Sequence, residues 1–122
     1  YGVNTLAVRL CQNDAFYKID ADCVGILPEK IDWRLNRQWL DLLSVSGSPL
    51  FVSVSPAAVT DEIKADITKA FSRSSRQTDL AEPLDWLYNN QPQEWLANGE
   101  KRVYDFVGNA YPDLLSGKQQ GY

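Results

Sequence analysis

The chain has 122 residues, 44% hydrophobic and 11% aromatic, the size and make-up of one domain with a modest core. Its net charge of −4 argues against a nucleic-acid partner, whose phosphates call for a basic surface. No apolar run approaches the roughly 20 residues that span a bilayer, so no membrane partner is expected.

In chain order, "YGVNTLAVRLCQNDAF" is mixed, and its best pattern is a short helix or strand from Thr5 to Leu10. "DCVGIL" reads as a short buried strand, bounded by charge on one side and Pro28 on the other. Asp32 suits the N-cap of a helix from Trp33 to about Ser44. Leu35, Trp39, Leu42 and Leu43 fall on one apolar face of it, while Arg34, Asn36, Arg37 and Asp41 point elsewhere. Gly47 suits a left-handed cap. "PLFVSVS", residues 49–55, is the strongest strand in the chain, with β-branched and aromatic residues between two turn signals. A second helix follows, capped by Thr60, with Asp61 and Glu62 in its first turn and Ile63, Ile67, Ala70 and Phe71 inward. "AEPLDWLYNNQPQ" reads as irregular or a short helical turn. The Asn98-Gly99 dipeptide predicts a type I′ hairpin across "EWLANGEKRVYDFV". The last residues read as a frayed tail.

Two strands joined by a helical crossover should be parallel, and parallel sheets are normally covered on both faces by further structure. Two strands do not make such a sheet. The chain also has no Met. Both features point to a piece of something larger, or to a sheet completed by another chain.

Chemistry is constrained by a second absence. Without His there is no Ser-His-Asp or Cys-His nucleophile and no imidazole-ligated zinc. Cys11 and Cys23 read as separate buried thiols, a disulfide being the alternative in an oxidising compartment. Two cysteines alone do not make a structural zinc site.

The pair Asp20 and Asp22 in "KIDADCVGIL" is the candidate site. A calcium loop fails, because Val24 and Ile31 stand where the fifth and twelfth positions need oxygen ligands. A glycosidase pair fails too. Such carboxylates lie roughly 5–9 Å apart across the bond, whereas residues i and i+2 of an extended segment point to the same side. Two readings stay open: polar residues that serve a ligand beside a buried strand, as in α/β folds, and solvated acids that merely end the strand.

The run "NDAFYKIDADCVGI", followed by "DWRLNRQWLDLLSVSGSPLFVSVSP" and "AEPLDW", resembles the end of the catalytic domain in bacterial α-galactosidase-like glycoside hydrolases, the melibiase group with retaining (β/α)8 barrels. The likeness covers roughly residues 10 to 107. "IDADCV" looks like the family's Asn-Asp-Pro-Asp motif near the seventh barrel strand, with Ala21 in place of the Pro. "GSPLFVSVSP" looks like the eighth strand, with Ser55 where relatives tend to carry an acid.

The resemblance implies an α/β fold in which residues 1–78 form the last two strand-helix units of a (β/α)8 barrel and 79–122 open a C-terminal β segment. It implies hydrolysis of a terminal α-linked sugar through a covalent glycosyl-enzyme intermediate, without metal or organic cofactor. By the same token Asp22 and Cys23 lie near the sugar hydroxyls, with Asp20 in support, and a secreted or periplasmic location follows from the family. Both catalytic carboxylates then lie upstream of Tyr1, so the chain alone is expected to be inactive and to self-associate. A second alignment sets Lys18-Ile19-Asp20 on the family's Lys-x-Asp motif and makes Asp20 the nucleophile, but leaves no room for the later barrel strands. The alternative from another class is a self-contained, non-catalytic carbohydrate- or protein-binding domain.

Among the tryptophans, Trp33 and Trp39 read as packing, and Trp86 and Trp95 as candidate exposed platforms for a sugar ring. Arg34 and Arg37 read as the solvated flank of the first long helix. Lys69, Arg73 and Arg76 complement the carboxyl end of the second and need no ligand.

Overall fold

The computed structural model describes residues 2–13, 15–21, 23–28, 31–76 and 79–106. These form a mixed α/β arrangement of three α-helices and two small sheets, with no closed barrel among them.

Helix α1 spans Gly2–Arg9 and runs into a 3-10 turn at Leu10–Gln12. Strand β1, Cys23–Ile26, follows, then helix α2, Trp33–Ser46. The Asp32 carboxylate accepts the Arg34 backbone N–H, and Gly47 leaves the helix at φ 85° in the left-handed region. Strand β2, Phe51–Val54, pairs parallel with β1, Cys23 opposite Phe51 and Ile26 opposite Val54. The βαβ unit expected from the pattern is therefore present.

Helix α3, Asp61–Ser74, begins where the Thr60 hydroxyl accepts the Ile63 backbone N–H. It packs on α2 through Ile63, Ile67 and Ala70. Phe71 does not join that face: it is 45% exposed, because the α2 contact follows the 63–67–70 stripe. The second sheet is antiparallel in the order β3 (Glu82–Pro83), β4 (Glu94–Ala97), β5 (Glu100–Val103). Asn98 and Gly99 both have positive φ, 52° and 75°, as a type I′ turn requires. The two-residue strand β3 lies in the segment expected to be irregular.

One core joins the two sheets. Leu40, Leu42, Leu43 and Val45 of α2 share it with Val24 and Ile26 of β1 and with Trp95, Ala97 and Tyr104 from the hairpin side. Each such side chain taken fully from water contributes about 1.5–3 kcal/mol. Leu40, absent from the expected apolar face, is 1% exposed. Asn36, expected to point outward, is also buried, and its amide donates to the Gly25 carbonyl at 2.8 Å. A buried amide left unpaired would cost the fold, and here it staples α2 to β1. Two residues further along α2, the Gln38 amide donates to the Asp105 carbonyl at 2.9 Å and accepts the Asp105 N–H at 2.7 Å.

The βαβ unit is covered unevenly. Val24 and Ile26 are buried and Val52 and Val54 half-buried, whereas Cys23, Gly25, Phe51 and Ser53 on the opposite face are exposed. Among the described residues, β1 and β2 pair only with each other, so each keeps an unpaired outer edge. The cysteines correct the sequence expectation: they are not joined in a disulfide, as expected, but both are exposed rather than buried. Cys11 ends up outside because Leu6, Ala7 and Leu10 take the inward face of the first helical segment.

Candidate functional site

The segment leading into β1 is held at its buried positions and open elsewhere. Ile19 is buried, and its N–H donates to the Asn13 side chain at 2.8 Å. The Ala21 N–H donates to the Ser48 hydroxyl at 3.2 Å. Asp20, between these anchors, is turned to solvent and lines a shallow cleft of about 230 Å³ with Thr5, Arg9 and Tyr17. Cys23 opens β1 on its exposed face. Asp22 lies outside the described residues. Asp20 and Cys23 thus sit at the amino end of β1. The carboxyl ends are at Ile26 and Val54, where the Ser55 N–H extends the ladder to the Ile26 carbonyl at 2.9 Å. Ser55 is half-buried there.

The densest polar constellation lies elsewhere, around a residue that sequence reasoning placed on the solvent side of α2. Asp41 is flanked in sequence by the buried Leu40 and Leu42 and is itself half-buried. One carboxylate oxygen accepts from Arg73 of α3. The other accepts from Arg102 of β5 at 2.8 Å and from the Tyr104 hydroxyl at 2.7 Å. Burial, and then the neighbouring Asp41 charge, push the Tyr104 hydroxyl far above the ordinary tyrosine range. Burial works against the Arg102 charge, but Asp41 and Tyr104 more than offset it and raise its pKa. No local motif announces this cluster, since its members come from three elements.

Asp41 also lines a cleft of about 420 Å³ between α2, α3 and the end of β5, together with Asp66 and Lys69. Two carboxylates in one cleft invite comparison with a catalytic pair, but both are engaged in contacts that hold the fold together. Asp66 accepts the Trp33 indole N–H at 3.1 Å and lies 3.7 Å from Arg37. Asp41 is saturated by its two arginines and a tyrosine. The arrangement ties the two long helices to the hairpin. Among the described residues no group of His, Cys, Asp and Glu is placed to hold a metal ion.

The tryptophans divide differently from the sequence expectation. Trp95 is fully buried, with its indole N–H donating to the Pro92 carbonyl at 2.8 Å, and is no platform. Its position on β4 faces the core because the hairpin packs on α2. Trp33 and Trp39 are half-buried against the core. Trp86 is 48% exposed.

A last buried acid is structural. Asp85 is 4% exposed, and its carboxylate accepts from the Asn89 amide and from the backbone N–H groups of Gln93 and Glu94, at 2.9–3.1 Å. No helix among the described residues is long and apolar enough to cross a membrane. No family model matches the chain, and no curated protein or solved structure does so either.

Proposed function

We propose that this chain is a piece of a retaining glycoside hydrolase acting on terminal α-linked sugars, of the α-galactosidase type. It contributes the last two strand-helix units of a (β/α)8 barrel whose two catalytic carboxylates lie upstream, and the hairpin opens the β segment that follows the barrel. The observation that carries the reading is the uncovered parallel pair. β1 and β2 each have an outer edge without a partner among the described residues, and Phe51 on their open face is 51% exposed. In a closed barrel such edges pair with neighbouring strands, and the face away from the helices is filled from the barrel interior. In this reading the sugar site lies beyond the carboxyl ends of the strands, at Ile26 and Val54, so Asp20 and Cys23, at the amino end of β1, stand on the opposite face of the barrel. The isolated chain hydrolyses nothing.

The test is to assay this chain and the longer polypeptide that contains it on p-nitrophenyl α-D-galactopyranoside, following the anomeric configuration of the product by NMR. Activity with retained configuration in the longer polypeptide, and none in the chain alone, is the expected result. A longer polypeptide without activity on any α-linked glycoside would sink the reading.

The alternative, a self-contained non-catalytic carbohydrate- or protein-binding domain, draws on one observation. The core that joins α2 to β1 also reaches Trp95, Ala97 and Tyr104, so the described residues have a continuous interior of their own. Sedimentation separates the two. Association through open sheet edges marks the barrel piece. A monomer that melts cooperatively marks the complete domain.

A further inference from the structure

The run from Trp86 to Gln93, "WLYNNQPQ", contains no charged residue, in a chain where 23% of residues are charged. It also exposes three large side chains in succession: Trp86 at 48%, Leu87 at 79% and Tyr88 at 80%. Loops that merely connect strands seldom present such a sequence to water, because each ring left outside forgoes its burial free energy.

The loop is nevertheless fixed at its base. The buried Asp85 carboxylate holds Asn89, Gln93 and Glu94, and the Asp85 carbonyl accepts the Tyr88 and Asn89 N–H groups at 3.2 and 3.0 Å. The Leu84 N–H donates to the Glu94 carbonyl at 2.8 Å, and Asn89 Oδ1 accepts the Gln91 N–H at 3.0 Å. Ordering has therefore been completed by folding, and a ligand meets a preformed surface. Trp86 also forms one wall of a groove of about 350 Å³ with Val8, Leu80 and Pro83.

From this we infer that the 84–93 loop is a binding platform for a neutral saccharide. Aromatic faces stack on the C–H face of a pyranose ring. The side-chain amides of Asn90, Gln91 and Gln93, which make no hydrogen bond among the described residues, offer the paired donors and acceptors that hydroxyl groups need. The run's lack of cations disfavours phosphates and anionic membranes, which both call for Lys and Arg. The inference stands on the loop's own geometry and does not depend on the chain belonging to a hydrolase.

The experiment is a titration of the 15N-labelled 122-residue chain with raffinose and, separately, cellotriose, followed by amide and indole N–H shifts. Saturable shifts at the Trp86 indole and at the Asn90 and Gln91 amides are expected. Trp86→Ala and Tyr88→Ala should each weaken binding up to about ten-fold, the scale of one aromatic contact. Tyr88→Ala guards against a folding defect, since that ring is largely solvent-exposed. Unmoved loop signals at tens of millimolar of both sugars would overturn the platform. So would shifts confined to residues outside the loop. Loop signals that broaden with chain concentration alone, and sharpen in Trp86→Ala, would identify a protein interface instead and equally overturn it.

Discussion

Asp41 and Tyr104 are 63 residues apart in the chain, and the tyrosine hydroxyl lies 2.7 Å from the carboxylate. With Arg73 and Arg102 on the same carboxylate, this contact closes the hairpin onto the two long helices. Asp41→Asn leaves two arginines without their counter-charge in a partly buried setting. Such a loss costs about 2 kcal/mol, below the range for fully buried pairs because water reaches the cluster. Tyr104→Phe should cost about 1 kcal/mol, one hydrogen bond. Urea unfolding of both single variants and the double variant should be non-additive, since Asp41 is the partner in each case. Additive losses would mean that the contact does not couple the two.

Tyr104 also sets an alkaline limit. Its hydroxyl, near 10 when unfolded, is shifted upward by burial and by Asp41, so folding favours the neutral phenol. That contribution is complete below about pH 10 and is lost as pH rises further, the sign expected for a raised pKa. Ultraviolet titration should show about one fewer phenolate in the folded chain at pH 11 than in the urea-unfolded chain. The deficit should vanish in Tyr104→Phe.

Asp85→Asn tests the loop clamp. Both carboxylate oxygens accept from N–H donors, so one of them would meet the new NH2 group, donor against donor. A loss of about 2 kcal/mol is expected, close to that of Asp85→Ala, with faster amide exchange at Gln93 and Glu94. A silent Asp85→Asn would show that the loop does not need its anchor.

Two glycines should respond in opposite ways. At Gly47, φ 85°, an added Cβ meets Leu80 Cδ2 at 2.8 Å and the Asp79 carbonyl at 3.2 Å. Gly47→Ala should therefore cost about 1–2 kcal/mol. At Gly25 nothing lies within 4 Å, and Gly25→Ala should change the melting behaviour of the isolated chain by less than about 0.5 kcal/mol. If β1 belongs to a closed barrel, the same Gly25 substitution should be costly in the longer polypeptide. Equal tolerance in both would count against a filled barrel interior.

Local chemistry in the sequence accounts for most of the fold. Asp32 and Thr60 cap helices because their side-chain oxygens reach unsatisfied N–H groups, a pattern visible without coordinates. Gly47 and Asn98-Gly99 mark the left-handed positions for the same reason. The polar constellations were not legible. Asp41 looks like any surface helix acid until Arg73, Arg102 and Tyr104 arrive from distant segments. Asp85 sits in a stretch rich in amides that resembles a plain loop. Trp95 shows where a local reading misleads: an aromatic in a hairpin can face either way, and the packing of that hairpin on α2 decides it. The candidate site itself was legible only as a motif, with Asp20 at the amino end of its strand and turned to solvent.

The Gln38–Asp105 pair and the shared core imply that the turn after α3 is dispensable as a covalent link. Arg76 is exposed there, and trypsin cleavage after it would leave pieces 1–76 and 77–122. The halves would still share the Asp41 cluster, the reciprocal Gln38–Asp105 bonds and a Ser46 carbonyl bonded to the Ala81 N–H at 3.1 Å. A nicked chain should therefore migrate as one particle and come apart only in denaturant, and the two pieces made separately should reassemble by complementation.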